Sequence, residues 1–126
     1  MIDVERADFI GVPVHDVARA REFYGEALGL PQSSSSGDRW AEFETGNVTI
    51  GIFAPEQMGR TFEPSSAPIA LRVPDVAEAR RRLEEAGISF EGEIMDSGVC
   101  HMAFFQDPDG NALMLHRRYA PPHAEK

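Results

Sequence analysis

Apolar and polar positions alternate from Asp8 to Val14. Ile10, Val12 and Val14 share one face, and Phe9, Gly11 and Pro13 share the other, so the spacing predicts a strand. Asp16 can cap the turn that follows. Behind it Val17, Ala20, Tyr24, Ala27 and Leu28 form one helical stripe that Gly29 ends. Ser33 to Gly37 reads as a polar loop, and Trp40 to Phe53 as a hairpin turning at Thr45-Gly46. Pairing across that turn sends Ala41, Phe43, Val48, Ile50 and Ile52 towards the helix. Trp40, Glu42, Thr49, Gly51 and Phe53 take the opposite face. The unit is β-α-β-β, with room for one more short strand.

A shift of 59 residues (10 to 69) shows the opening pattern written again. Ile10 falls on Ile69, Val14 on Val73, Asp16-Val17-Ala18 on Asp75-Val76-Ala77, Ala20-Arg21 on Ala79-Arg80, and Glu26-Ala27 on Glu85-Ala86. In the second copy Ile69, Leu71 and Val73 form the core face of the strand, with Pro68, Ala70 and Arg72 opposite. Asp75 and Glu78 have capping-box spacing before the stripe Val76, Ala79, Leu83 and Ala86. Ile88 to Ile94 can supply an edge strand. A last hairpin runs from Val99 to His116 around Asp107-Pro-Asp-Gly-Asn111. Its Ala103, Phe105, Leu113 and Leu115 face the helix. Cys100, Met102, Phe104, Ala112, Met114 and His116 point the other way. The expected organisation is one domain: a first module at 8–53, a connector at 54–67, a second module at 68–117, and a tail at 118–126 with little reason to be ordered.

Composition narrows the function classes. A chain of 126 residues with a 42% apolar fraction is an ordinary globule of single-domain size. Twelve basic against twenty-one acidic residues give a net charge of −9, which repels phosphate backbones and argues against nucleic acid, while favouring a cationic small molecule. No apolar run approaches the ~20 residues of a membrane span. Met1 to Asp8 is acidic and lacks the regions of a signal peptide, and the single cysteine, Cys100, suits a reducing compartment; a cytoplasmic location is expected.

Two β-α-β-β-β units, each opening strand-Asp-Val-helix, with Phe23-Tyr24 before Leu28-Gly29 and a closing Phe105-Gln-Asp-Pro-Asp-Gly-Asn111 hairpin, resemble the vicinal oxygen chelate superfamily. That group includes glyoxalase I, extradiol dioxygenases, fosfomycin-resistance enzymes and bleomycin-binding proteins. The resemblance covers roughly Phe9 to Arg117. It implies an α+β fold in which two tandem βαβββ modules form curved sheets around a concave cleft, with helices on the outer faces. It also implies pairing of chains into a homodimer. In metal-dependent members four ligands, usually His, Gln or Glu, stand on the concave face. The matching positions here fall on Phe9, on Pro68, at or beside Gly51, and on Met114. None supplies the imidazole, thiolate or carboxylate donor that zinc, nickel or iron requires, so no metal and no other cofactor is expected.

The residues left on that face are Phe9, Trp40, Glu42, Thr49, Phe53, Arg72, Cys100, Met102, Phe104, Met114 and His116. Together they predict a largely apolar, aromatic ligand site, with room left by Gly11, Gly51, Ala70 and Ala112. Glu42 and Arg72 form an ion pair with each other, or receive a cation and an anionic or carbonyl group respectively. Cys100, placed opposite His116, makes a nucleophile and base, half a metal site, or simply a thiol beside an imidazole. His15 reads as a solvated turn residue, His101 as structural, and His123 lies in the tail. The function expected is metal-free binding, or sequestration, of a small organic molecule. The alternatives are an enzyme of lyase, isomerase or dioxygenase type, either metal-free with Glu42 or His116 for proton transfer or metal-dependent through another site, and an interaction module with a vestigial cleft.

Overall fold

The computed structural model describes residues 1–121 and contains two four-stranded mixed sheets. The first sheet has the order β1-β4-β3-β2, from β1 (Phe9–Pro13), β2 (Gln32–Ser36), β3 (Trp40–Glu44) and β4 (Thr49–Phe53). The second repeats that order as β5-β8-β7-β6, from β5 (Ile69–Arg72), β6 (Phe90–Asp96), β7 (Cys100–Gln106) and β8 (Ala112–Arg118). In each the opening strand runs parallel to the last, and the remaining pairs are antiparallel. The fold is α+β, a βαβββ unit written twice. By contacts the chain divides into two compact units: 1–65 together with 107–111, and 66–106 together with the chain from 112.

In the first unit Asp16 caps α1 (Val17–Arg21) by accepting from the Arg19 N–H at 3.1 Å. The helix packs on β3 and β4. Ala41, Phe43, Ile50 and Ile52 are fully buried on the helix-facing side, as strand parity predicts. Two local expectations are corrected. After α1 the chain continues as a π-helical stretch, Glu22–Ala27, in which the Leu28 N–H reaches back to the Phe23 carbonyl. The wider turn brings Phe23 inward beside Tyr24, while Ala27 and Leu28 remain half-buried. The stretch read as a polar loop from Ser33 is instead most of edge strand β2, exposed throughout and paired to β3 with a bulge between Gln32 and Ser34. Its serine side chains carry no apolar alternation, because the strand is held by backbone pairing to β3 and by hydrogen bonds from Ser33 to Glu44 and from Arg21 to Ser35 rather than by burial.

The turn Asp107–Asn111 belongs to the first unit and carries its buried polar residues. One oxygen of Asp107 accepts from the backbone N–H groups of Asp109 and Asn111, both at 2.9 Å. The other accepts from the Tyr24 hydroxyl at 2.7 Å and the Asn111 side-chain amide at 2.8 Å. Asn111 also donates to the Pro13 carbonyl and accepts from the Ser65 N–H. Asp109 accepts from the His15 N–H and from the Arg19 guanidinium at 2.6 Å. Burial first, then the adjacent Asp107 charge, pushes the Tyr24 hydroxyl's pKa far up and keeps it a donor.

In the second unit Asp75 caps α2 (Val76–Glu85) by accepting from the Glu78 N–H at 3.0 Å. The helix packs on β6, β7 and β8 over Ala103, Phe105, Leu113 and Leu115. The expected short edge strand is seven residues long, Phe90–Asp96, with a bulge between Glu91 and Met95. The tail is also corrected at its start. Arg118 is the last residue of β8, the Tyr119 N–H donates to Val99, and its hydroxyl donates to Asp96 at 2.7 Å. His123 lies outside the described residues.

Replacing Tyr24 with Phe deletes one donor to a buried carboxylate and leaves the ring in place. Urea titration should show a loss of about 1–2 kcal/mol with an unchanged circular dichroism spectrum. An unaltered midpoint would show that this bond contributes nothing.

Candidate functional site

The face of the first sheet opposite α1 carries Phe9, Trp40, Glu42, Thr49, Gly51 and Phe53. The register pairs Phe9 with Thr49, Trp40 with Phe53, and Glu42 with Gly51. Gly51 is what lets the large rings sit there. A Cβ at this position would stand 2.6 Å from Trp40 Cη2 and 3.1 Å from Phe9 Cδ1. The indole therefore lies against bare backbone, and Phe9 meets it edge-on with ring centres 5.1 Å apart and planes at 80°. Gly11 similarly faces Phe53, whose Cε1 lies 3.2 Å from where a Cβ would be. The space expected at these two glycines is thus taken by the protein's own rings.

What remains is a pocket of about 310 Å³ beside them. Phe9, Trp40 and Phe53 form its strand wall. Ala54 and the following 3₁₀ turn (Pro55–Met58) add Gln57 and Met58, and the β2–β3 turn adds Arg39. Phe9 is 51% exposed and Met58 56%, so the rim is open to solvent. The rings are held in place: the Trp40 indole N–H donates to Glu42 at 2.7 Å, and Gln57 donates to the Asp38 carbonyl at 2.9 Å, tying the two turns together.

Of the residues expected at a ligand site, Phe9, Trp40 and Phe53 line this pocket. Glu42 stands behind it as the acceptor for the indole. Thr49 is turned to Glu44, donating to its carboxylate. Hydrogen bonds from Ser33 and then Thr49 hold the Glu44 carboxyl below the usual carboxylate range. Arg39, Ala54, Gln57 and Met58 were missed. Their turns carry no periodic signal, although Pro55 does mark a break in the strand.

The other expected residues belong to the second unit. There Arg72 pairs with His116, His116 with Met102, and Phe104 with Met114. The proposed opposition of Cys100 and His116 is corrected, because Cys100 stands across from Arg118. The partner of Cys100 thus lies two residues further along β8 than predicted. His101 is half-exposed, stacked on Tyr119 with ring centres 4.6 Å apart and 3.4 Å from Asp96, which fits a structural role. Asp96 is held below its ordinary pKa, chiefly by the Gly98 N–H and then by the Tyr119 hydroxyl. His15 is not merely solvated: its ring lies 3.9 Å from that of Phe62, and Nδ1 is 2.9 Å from Glu56.

The donor set does not suit a divalent metal. Phe9, Pro68 and Gly51 offer no side-chain donor, and Met114 offers only a thioether. Among the described residues no group of three or more His, Cys, Asp or Glu is placed to hold an ion. No helix among the described residues is long and apolar enough to cross a membrane.

Comparison with known proteins places these observations. A family model described as Glyoxalase/Bleomycin resistance protein/Dioxygenase superfamily matches residues 6–115. The uncharacterized protein YraH of Bacillus subtilis (strain 168) is 27% identical over 117 residues, covering 82% of this chain and 91% of YraH. TnmS3, an antibiotic binding protein from Streptomyces sp. CB03234, superposes with a TM-score of 0.78 at 23% identity, over 94% of this chain and 99% of TnmS3. Lactoylglutathione lyase from Agrobacterium tumefaciens gives 0.77 at 18% identity, over 90% and 94% of the two chains. At these identities the two structures speak to the fold alone.

A Gly51→Ala substitution should force the indole off the strand. The expected cost is about 1–3 kcal/mol, with a red shift in tryptophan emission, since Trp40 is the chain's only tryptophan. Wild-type emission and stability together would contradict the packing described.

Proposed function

Because the chain belongs to the glyoxalase/bleomycin resistance protein/dioxygenase superfamily, we propose that it binds a small, largely apolar or aromatic organic molecule without a metal ion. The observation that carries this reading is the pocket of about 310 Å³ walled by Phe9, Trp40 and Phe53. Its volume sits at the lower end of the roughly 300–1,000 Å³ typical of ligand sites. That suits a molecule of one or two rings. Binding, and sequestration by binding, need only this surface. Both are consistent with a family in which the fold hosts antibiotic-binding proteins as well as lyases.

Passive binding is favoured over catalysis by the state of Glu42. Its carboxylate accepts from the Trp40 indole and does not line the pocket, so it is poorly placed to take a proton from a bound molecule. The reading of a vestigial site draws on one observation, the filling of the Gly51 and Gly11 spaces by Trp40, Phe9 and Phe53. The pocket that remains beside those rings favours a ligand.

The protein is also read as a single cytoplasmic domain that pairs as a homodimer. Support for pairing comes from the edge strand β1, whose Phe9 and Ile10 are 51% and 40% exposed. Light scattering at micromolar concentration should give twice the 13.9 kDa chain mass, and a monomer would contradict the pairing.

Ligand occupancy should change Trp40 emission. Truncating Trp40 to Ala should weaken binding several-fold to tenfold or more, as expected for an aromatic anchor contributing about 1–2 kcal/mol. Elemental analysis should find no stoichiometric Zn, Ni, Mn or Fe. About one tightly held metal per chain that titrates with an activity would overturn the metal-free reading.

A further inference from the structure

We propose that the pocket of the first unit selects planar aromatic carboxylates, with Arg39 as the recognising cation. This rests on the reading of that pocket as a ligand site and adds the class of molecule it takes. It reverses the cationic ligand that the net charge of −9 suggests by itself.

Arg39 is the one ionisable side chain among the residues that line the pocket. Among the described residues its guanidinium has no hydrogen-bond or ion-pair partner, so its donors are free for a ligand. A guanidinium presents parallel N–H groups that match the two oxygens of a carboxylate. The backbone that carries it is fixed on both sides. The Arg39 N–H donates to the Ser36 carbonyl at 3.0 Å, and Gln57 donates to the neighbouring Asp38 carbonyl at 2.9 Å. Gln57 is therefore a positioning residue for the turn. Less conformational freedom has to be lost when a ligand arrives.

The rest of the lining recognises the ring. Trp40 is oriented by its bond to Glu42, by contact with the Gly51 backbone and by the edge-on Phe9. Met58, on the exposed rim, supplies a thioether suited to aromatic faces. The nearest acid on the same sheet face, Glu42, is engaged by the indole N–H and is not part of the lining. Asp38 and Glu56 adjoin Arg39 and Gln57 in the chain, but neither lines the pocket, and Glu56 is paired with His15; more remote charges are screened beyond about 8 Å at physiological salt. Inside the pocket the contact with Arg39 outweighs them.

Three isosteric probes separate the parts of this proposal: naphthoate, its uncharged amide naphthamide, and the cation naphthylmethylammonium. Their affinities would be measured by calorimetry at physiological salt on wild-type protein and on the R39Q and W40A variants. Naphthoate should bind about three- to tenfold more tightly than naphthamide, and the ammonium most weakly. In R39Q the preference of acid over amide should vanish, with an unchanged circular dichroism spectrum and urea midpoint showing that the variant is folded. In W40A all three should weaken together. Equal binding of acid and amide, or tighter binding of the ammonium, would overturn the assignment to carboxylates and leave the pocket itself standing. A carboxylate preference that survives R39Q would overturn the role of Arg39. Failure of every probe to bind at millimolar concentration, or binding unaffected by W40A, would overturn both the ligand class and the pocket on which it rests.

Discussion

Asp107 is buried to 4% exposure, and its carboxylate is surrounded by donors drawn from separate stretches of the first unit: Tyr24 from the π-helical stretch and the backbone and side chain of its own turn. Through Asn111 the same knot reaches the end of β1 at Pro13 and the connector at Ser65, and through Asp109 it reaches the start of α1. A buried carboxylate left alone costs several kcal/mol, while each hydrogen bond to a charged group returns about 1.5–3 kcal/mol. The arrangement is therefore favourable only when nearly complete. It fixes where β1 ends and where the helix begins, and these set the frame on which the aromatic face is built.

The aromatic face follows a second constraint, the absence of a side chain at Gly51. The helix-facing positions of β3 and β4 are filled by Ala41, Phe43, Ile50 and Ile52, all fully buried. The reverse face must then carry its bulk on Trp40, Phe9 and Phe53. Only a residue without Cβ allows an indole to lie on the neighbouring strand. Once Trp40 lies there, its N–H reaches Glu42 and its ring meets that of Phe9 in a T-shaped contact. The pocket is what these rings leave open against the turns at Arg39 and Gln57. An apparent gap in the sequence pattern, glycine between aromatic residues, is thus a seat for a ring first and a neighbour of the pocket second.

Strand parity made the two faces of each sheet legible, because a period of two assigns every side chain once one is known to be buried. The 59-residue repeat (10 to 69) likewise made the doubled βαβββ order legible. Elements held by backbone bonding or by a change of helical pitch were not. Gln32–Ser36 has no apolar alternation, so β2 looked like a loop. The π-helical stretch moved Phe23 inward, against a stripe drawn at 3.6 residues per turn. Register across the second hairpin depended on how its turn closes, and His116 meets Met102 rather than Cys100. At the site the strand residues Phe9, Trp40 and Phe53 were readable. Arg39, Gln57 and Met58 were not, since turns place side chains by dihedral geometry that no periodicity records.

The central claim is that the aromatic pocket of the first unit exists to hold a small organic molecule. Native mass spectrometry of the protein isolated from its own host tests it most directly. The account predicts a population carrying one small organic adduct per chain, free of metal, that is lost when Trp40 is replaced by Ala. A bare chain under every gentle ionisation condition, or an adduct indifferent to Trp40, would contradict it.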